Sequence, residues 1–266
     1  MILVLLVLLL IGLLGVFTLY RMQRSLMPEE WAELLPPVPT PEPSIEPTPR
    51  PTPTPRPTPT PEPTPKLRER TELLTLVNPL HAMEEGYVPE LRQVTWGYEE
   101  EQWVDARAAD ALIQMMADCE EAGNSPYICS SYRTMEKQQY LYNNKIYRLV
   151  YDEGVDPEEA PAIAARSVAV PGTSEHQIGL AADIIDYNYP YLNEQQEQMP
   201  TQKWLMEHCW DYGFILRYPN DKSEITGIIY EPWHYRYVGV EAAQEIRDLG
   251  LTLEEYLEQY YEPLDE

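Results

Sequence analysis

Four residues in the second half of the chain have the types and spacing for hydrolytic metal chemistry: His176, Asp183, Glu231 and His234. His176 lies in the glycine-punctuated stretch Gly172-Thr173-Ser174-Glu175-His176-Gln177-Ile178-Gly179, and Asp183 follows where it alternates with Ala182 and Ile184. A carboxylate set among apolar strand residues is costly to bury alone and needs a partner. A metal cation is the strongest partner available, and imidazole with carboxylate suits zinc. A salt-bridged aspartate beside an ordinary loop histidine is the competing reading. The second group is Glu231-Pro232-Trp233-His234. Proline disfavours helix at the residue before it, so this is not the helical H-E-x-x-H arrangement. An extended segment still lets Glu231 and His234 reach into one cleft. Two histidines and an aspartate would fill three zinc positions and leave the fourth for water, which distinguishes a catalytic from a structural site. Zinc lowers the pKa of its water to about 7, and an unliganded glutamate close by can take the proton. Glu231 is the candidate for that task; a surface carboxylate on a turn is its alternative.

Several elements must bring these residues together. The spacing predicts a helix over Glu99–Glu121, with Trp103, Leu112, Met115, Met116 and Cys119 near one face and Gly123 at its end. Tyr127–Tyr132 reads as a strand and Met135–Tyr151 as a helix. Pro157 opens a short helix, in a position proline tolerates. Ala181–Ile185 is a strand, Gln202–Tyr212 a helix stopped by Gly213, and Ile225–Val238 two strands around a tight turn. Helices over Glu241–Leu249 and Leu253–Tyr260 close the chain. Helices and strands do not alternate regularly, which predicts an α+β fold, a small antiparallel sheet flanked by helices with the zinc site in a cleft.

The first third of the 266 residues reads differently. Residues 2–20 are almost wholly apolar and match the ~20 residues of a membrane-crossing helix. A cleaved signal has a shorter apolar region and a small-residue cleavage site, which are not evident here. We therefore expect a transmembrane anchor over 1–24, a juxtamembrane segment over 25–35, a Pro/Thr-rich linker over 36–70 and one zinc-binding domain over 71–266, its folded part running from about Thr75 to Tyr261. Polyproline II geometry, at ~3.1 Å per residue, would make the linker a spacer on the order of 90 Å, long enough to reach through a cell wall. Arg21 and Arg24 follow the apolar run, and charge alone would keep the C-terminal side in the cytoplasm. The wall-length spacer argues for a domain outside it. Lys plus Arg number 19 against 44 Asp plus Glu, a net charge of −25. Such a field repels nucleic acid. The three cysteines, Cys119, Cys129 and Cys209, form no C-x-x-C pair and read as small buried hydrophobes.

The pattern S-x-H-x-x-G-x-A-x-D, met by Ser174, His176, Gly179, Ala181 and Asp183, followed by E-P-W-H at Glu231 to His234, resembles the signature of the D-Ala-D-Ala metallopeptidases. That family includes the VanY carboxypeptidases and VanX dipeptidases and is related to the Hedgehog signalling domain. The similarity extends to Ser130-Ser131-Tyr132-Arg133, to residues 204–219 and to Leu76-Val77-Asn78-Pro79-Leu80. The resemblance implies one Zn2+ held by His176, Asp183 and His234, with Glu231 as general base and then acid. It implies that Arg133 stabilises charge on the substrate, that Ser174 contacts or orients it, and that Gln138 lines the pocket. The substrate implied is a peptidoglycan stem peptide ending in D-Ala-D-Ala. A dipeptidase or wall endopeptidase on the same zinc, or a non-catalytic wall-binding module, are the alternatives.

Overall fold

The computed structural model describes residues 67–96 and 101–262. The expected anchor over residues 2–20 and nearly all of the Pro/Thr linker lie outside the described residues. Among the described residues no helix is long and apolar enough to cross a membrane.

A four-stranded antiparallel sheet organises the fold. Its strands are β3 (Pro126–Ser130), β4 (Ala181–Asp186), β5 (Phe214–Leu216) and β6 (His234–Tyr237), in the order β3-β4-β6-β5. A separate hairpin pairs β1 (Leu91–Val94) with β2 (Gln102–Asp105). Every residue of β4 is buried, because both faces of this central strand are covered. Side chains alternate across a strand, so Ala182, Ile184 and Tyr235 enter one core with Ile128 and Phe214. Helix α1 (Ala106–Glu121) packs there through Ala108, Leu112, Met115, Met116 and Cys119, a 3.6-residue stripe. Each fully buried Leu or Met contributes roughly 1.5–3 kcal/mol.

The opposite face carries Asp183, His234 and Arg236, the polar residues from which the site is built, with Ala181 among them. Beside them Ile215 and Val238 join a second core formed with helices α6 (Val240–Leu249) and α7 (Leu253–Tyr260). Helix α2 (Met135–Tyr151) has its predicted bounds; the Thr134 hydroxyl accepts the Lys137 N–H at its start. Its partner α3 spans Ala160–Ala165. The first and last described segments meet: Arg68 N–H donates to Tyr260 O at 2.9 Å, and Glu262 N–H to Arg68 O at 3.2 Å. Order thus begins before Thr75, where the sequence placed the folded part's start.

Four expectations are corrected. The helix expected from Glu99 begins only at Ala106, because Asp105 caps it through the Arg107 N–H and residues 102–105 pair as β2. Trp103 is consequently half-exposed on a strand instead of lying on a helix's apolar face. The helix expected at Pro157 starts at Ala160, with Pro161 in its first turn. Residues 202–212 divide into α4 (Pro200–His208) and a 3-10 turn, Cys209–Tyr212, before Gly213 at φ 81°. Across Ile225–Val238 there is one strand, not two: Ser223–Thr226 forms a helical turn, α5, and pairing resumes only after donor-less Pro232. The partner strand on that side of β6 is β5, which directly follows Gly213.

Candidate metal centre

Strand register explains why distant residues meet. Ser130 lies opposite Asp183 across β3 and β4, and Asp183 lies opposite His234 across β4 and β6. The three form one row on one face of the sheet. A register shift between Ile128 and Ser130 bulges β3 at Cys129 and brings Ser130 into that row. His176 arrives from the 3-10 turn Glu175–Ile178, which ends at Gly179 with φ 73°.

The donor atoms of His176, Asp183 and His234 all lie within 4.8 Å of one another. Asp183 stands between the imidazoles, with Oδ2 3.2 Å from His176 Nε2 and Oδ1 3.0 Å from His234 Nδ1. The rings meet edge to face with centroids 4.9 Å apart. His176 Nδ1 is 2.8 Å from Ser131 O. A carbonyl only accepts, so Nδ1 carries the hydrogen and Nε2 is left to coordinate. Two imidazole nitrogens and a carboxylate oxygen, each residue 3% exposed, are a donor set that fits zinc.

Glu231 stands just outside this group, its Oε2 3.8 Å from His234 Nδ1. Pro232 and Trp233 make a turn, closed by the His234 N–H on Glu231 O at 3.1 Å, in place of the extended segment expected, and the Glu231 N–H bonds Tyr218 O at 3.1 Å. Arg133 approaches from the other side, its guanidinium 2.7 Å from Asp183 Oδ2 and its Nε 2.8 Å from Ser130 Oγ. Gln138 is fully buried, its amide nitrogen 2.7 Å from Ala169 O and its oxygen 3.4 Å from Arg133. It supports Arg133 instead of lining the cleft. Ser174 is buried at the head of the turn, where its carbonyl accepts the Gln177 N–H. The remaining histidines are elsewhere: His208 stacks on Trp204, and His81 bonds Asn78. All three cysteines are free; Cys119 and Cys209 are buried, as read, Cys129 only partly, and burial raises the Cys119 thiol to about 12.

The charges in the metal-free protein are ordered. Burial alone would raise Asp183, but His176, His234 and Arg133 hold it well below the usual carboxylate range. Burial, helped by Arg133, lowers His176 to about 4. His234 sits at about 9 because hydrogen bonds to Asp183 and Glu175 outweigh its burial. Burial lifts Glu231 to about 8, with Asp183 adding to the rise and His234 and Arg133 opposing it.

One group was not picked out from sequence. Glu175 is buried beside His176, with Oε1 bonded to Arg217 and Arg236 and Oε2 facing His234 Nε2 at 3.4 Å. Its signal was the pair His234 and Arg236, two apart on one strand and hence on one face; an arginine buried there requires an anion.

Gly179 fixes the turn that carries His176. A Cβ there would stand 2.9 Å from Asp105 N, and φ is already in the left-handed region. Gly179→Ala is expected to cost about 1–3 kcal/mol, seen as a lower melting temperature. An unchanged melting temperature would contradict that account.

A buried His–Asp–His set with an uncoordinated carboxylate beside it, on an α+β scaffold, defines a mononuclear metallopeptidase. Residues 101–240, more than half of the chain, match the family model for VanY, D-alanyl-D-alanine carboxypeptidase. The chain belongs to that family. It is 43% identical over 185 residues to a D-alanyl-D-alanine carboxypeptidase of Enterococcus faecalis, an alignment covering 69% of this chain and 65% of that protein, just under two thirds of its length. A solved structure of VanYB in complex with D-alanine-D-alanine is similar at TM-score 0.63 and 41% identity, over 70% of this chain and 97% of that one. A vancomycin resistance D,D-pentapeptidase VanY in complex with Zn(II) is similar at TM-score 0.62 and 41% identity, over 70% and 98%. The zinc fits the donor set described above.

Proposed function

We propose that the protein is a zinc D,D-carboxypeptidase that removes the terminal D-alanine from peptidoglycan stem peptides ending in D-Ala-D-Ala. The observation that carries this reading is the meeting of three buried donors within 4.8 Å, with Glu231 beside them, in a chain of the VanY family. His176 Nε2, His234 Nδ1 and an Asp183 oxygen would hold the metal. Zinc, when bound, supplies a Lewis acid for the scissile carbonyl and acidifies water. Glu231 accepts the attacking water's proton on its carboxylate and then delivers it to the amine of the departing D-alanine. Arg133, anchored by Ser130 and Gln138, offers its guanidinium to negative charge on the substrate, either the developing oxyanion or the terminal carboxylate. Ser174, buried at the head of the turn that carries His176, would orient the site. The apolar run over residues 2–20 supports a single-pass anchor in the cell membrane, and the Pro/Thr segment supports a catalytic domain held outside the cytoplasm. Protease treatment of intact cells is expected to remove the domain.

The test is product release by full-length, zinc-loaded protein. A pentapeptide stem is expected to yield D-alanine while free D-Ala-D-Ala is a poor substrate. Preferential cleavage of the dipeptide would make the protein a dipeptidase. Binding to wall sacculi with no product from either peptide would make it a wall-binding module.

Proton release supplies a second check. At pH 7 metal-free His234, at about 9, is protonated, whereas His176, at about 4, is not. Coordination through Nδ1 must expel a proton, so zinc affinity is expected to rise with pH until His234 has titrated. Calorimetry at pH 7 in two buffers of different ionisation enthalpy reads this directly. Equal heats in both would rule out proton release.

A further inference from the structure

We propose that Glu175 is a positioning residue of the metal centre. It accepts the Nε2 hydrogen of His234, turns Nδ1 toward the metal and thereby raises the site's affinity for zinc. The inference rests on reading His176, Asp183 and His234 as the zinc ligands.

Glu175 is 1% exposed, so water does not compete for its oxygens. Its two oxygens have divided tasks. Oε1 receives Arg217 Nε at 2.8 Å and an Arg236 guanidinium nitrogen at 2.6 Å. Oε2 is left facing His234 Nε2 at 3.4 Å, at the long end of hydrogen-bond range. The nitrogen it meets is the one directed away from Asp183, so the imidazole ring stands between Glu175 and the metal ligands. Glu175 is therefore not a fourth ligand. Outer carboxylates that receive a ligand histidine's second N–H fix the ring's tautomer and orientation and strengthen it as a donor.

The carboxylate is itself held on two sides. Arg217 makes two bonds to Glu254, at 2.6 and 2.9 Å, and Asn78 bonds Glu254 at 3.0 Å. Arg236 donates to Leu73 O and Thr75 O at 2.9 and 2.8 Å. Two arginines and two glutamates balance in charge, and the carbonyls take up remaining donors. A cluster that served only to fasten the chain's first described residues to the sheet would not need a carboxylate oxygen directed at a histidine.

The test separates positioning from fastening. Glu175→Gln keeps an oxygen for the arginines and removes the charge behind His234. Glu254→Gln weakens the same cluster without touching His234. Competition with a chromophoric chelator is expected to show zinc affinity about 10- to 100-fold lower in Glu175→Gln, whereas Glu254→Gln lowers the melting temperature and leaves zinc affinity unchanged. Wild-type zinc affinity in a folded Glu175→Gln would overturn the proposal. If that variant does not fold, the wild-type protein still decides. Loaded with cadmium-113 and labelled with nitrogen-15 at histidine, it is expected to show metal coupling at His234 Nδ1 and a retained proton on Nε2. Coupling at Nε2 would overturn the role of Glu175. Coupling at neither histidine would instead remove the metal-site reading on which it rests.

Discussion

Glu231→Gln is expected to retain one zinc per chain and to lose about 10²–10⁴-fold in D-alanine release, the range that a positioned general acid–base supplies. The substitution keeps size and shape, and Glu231 is outside the set of mutually close donors. What disappears is the ability to take up a proton and pass it on. The environment is set for both halves of that task. Burial raises the metal-free carboxyl to about 8, so it binds protons more readily than an exposed glutamate, and a nearby dication shifts the balance back toward the base. Metal analysis and single-turnover kinetics on the same sample separate the two effects. Near-native turnover in Glu231→Gln would remove Glu231 from the mechanism. Loss of zinc together with activity would make it a ligand.

Asp183→Ala is expected to give the larger defect, loss of zinc and of activity to the assay's background. Among the described residues Asp183 is the one side chain that meets both imidazoles and Arg133, at 3.2, 3.0 and 2.7 Å. Without it two histidines and an arginine share a buried pocket with no anion at its centre. That arrangement repels a divalent cation and leaves the Arg133 charge short of its strongest partner, which carries a stability cost as well. A chelator should reproduce the activity loss in the wild type, and added zinc should reverse it there but not in Asp183→Ala. A variant still active with zinc bound would show that two imidazoles suffice to hold the ion.

Much of this was readable from sequence, for reasons particular to certain residues. Leu253–Tyr260 has its predicted bounds because Thr252 and Glu255 form a capping box, a local signal. The α+β class followed from irregular alternation of elements. Asp183 stood out because a lone carboxylate is costly in an apolar strand, and His176, Glu231 and His234 because their types and spacing could complete a zinc site around it. Strands β2 and β5 were hidden for a different reason. They have four and three residues, too few for a periodicity to register; β2 was absorbed into the helix expected over Glu99–Glu121, and β5, just after the stop at Gly213, was given no element. Pairing partners elsewhere decide such segments. Glu175 was hidden because its meaning depends on Arg217 and Arg236, 42 and 61 positions away. Register joins them, and register is a property of the assembled sheet.

Arg68 running beside Tyr260 and Glu262 makes the described domain nearly a closed loop. A short flexible bridge could splice its end to its beginning, and the backbone could be reopened in the exposed turn near Gly154 without cutting a sheet strand. Such a rearranged polypeptide would keep every side-chain neighbour of the zinc pocket while leaving the splice far from it in sequence.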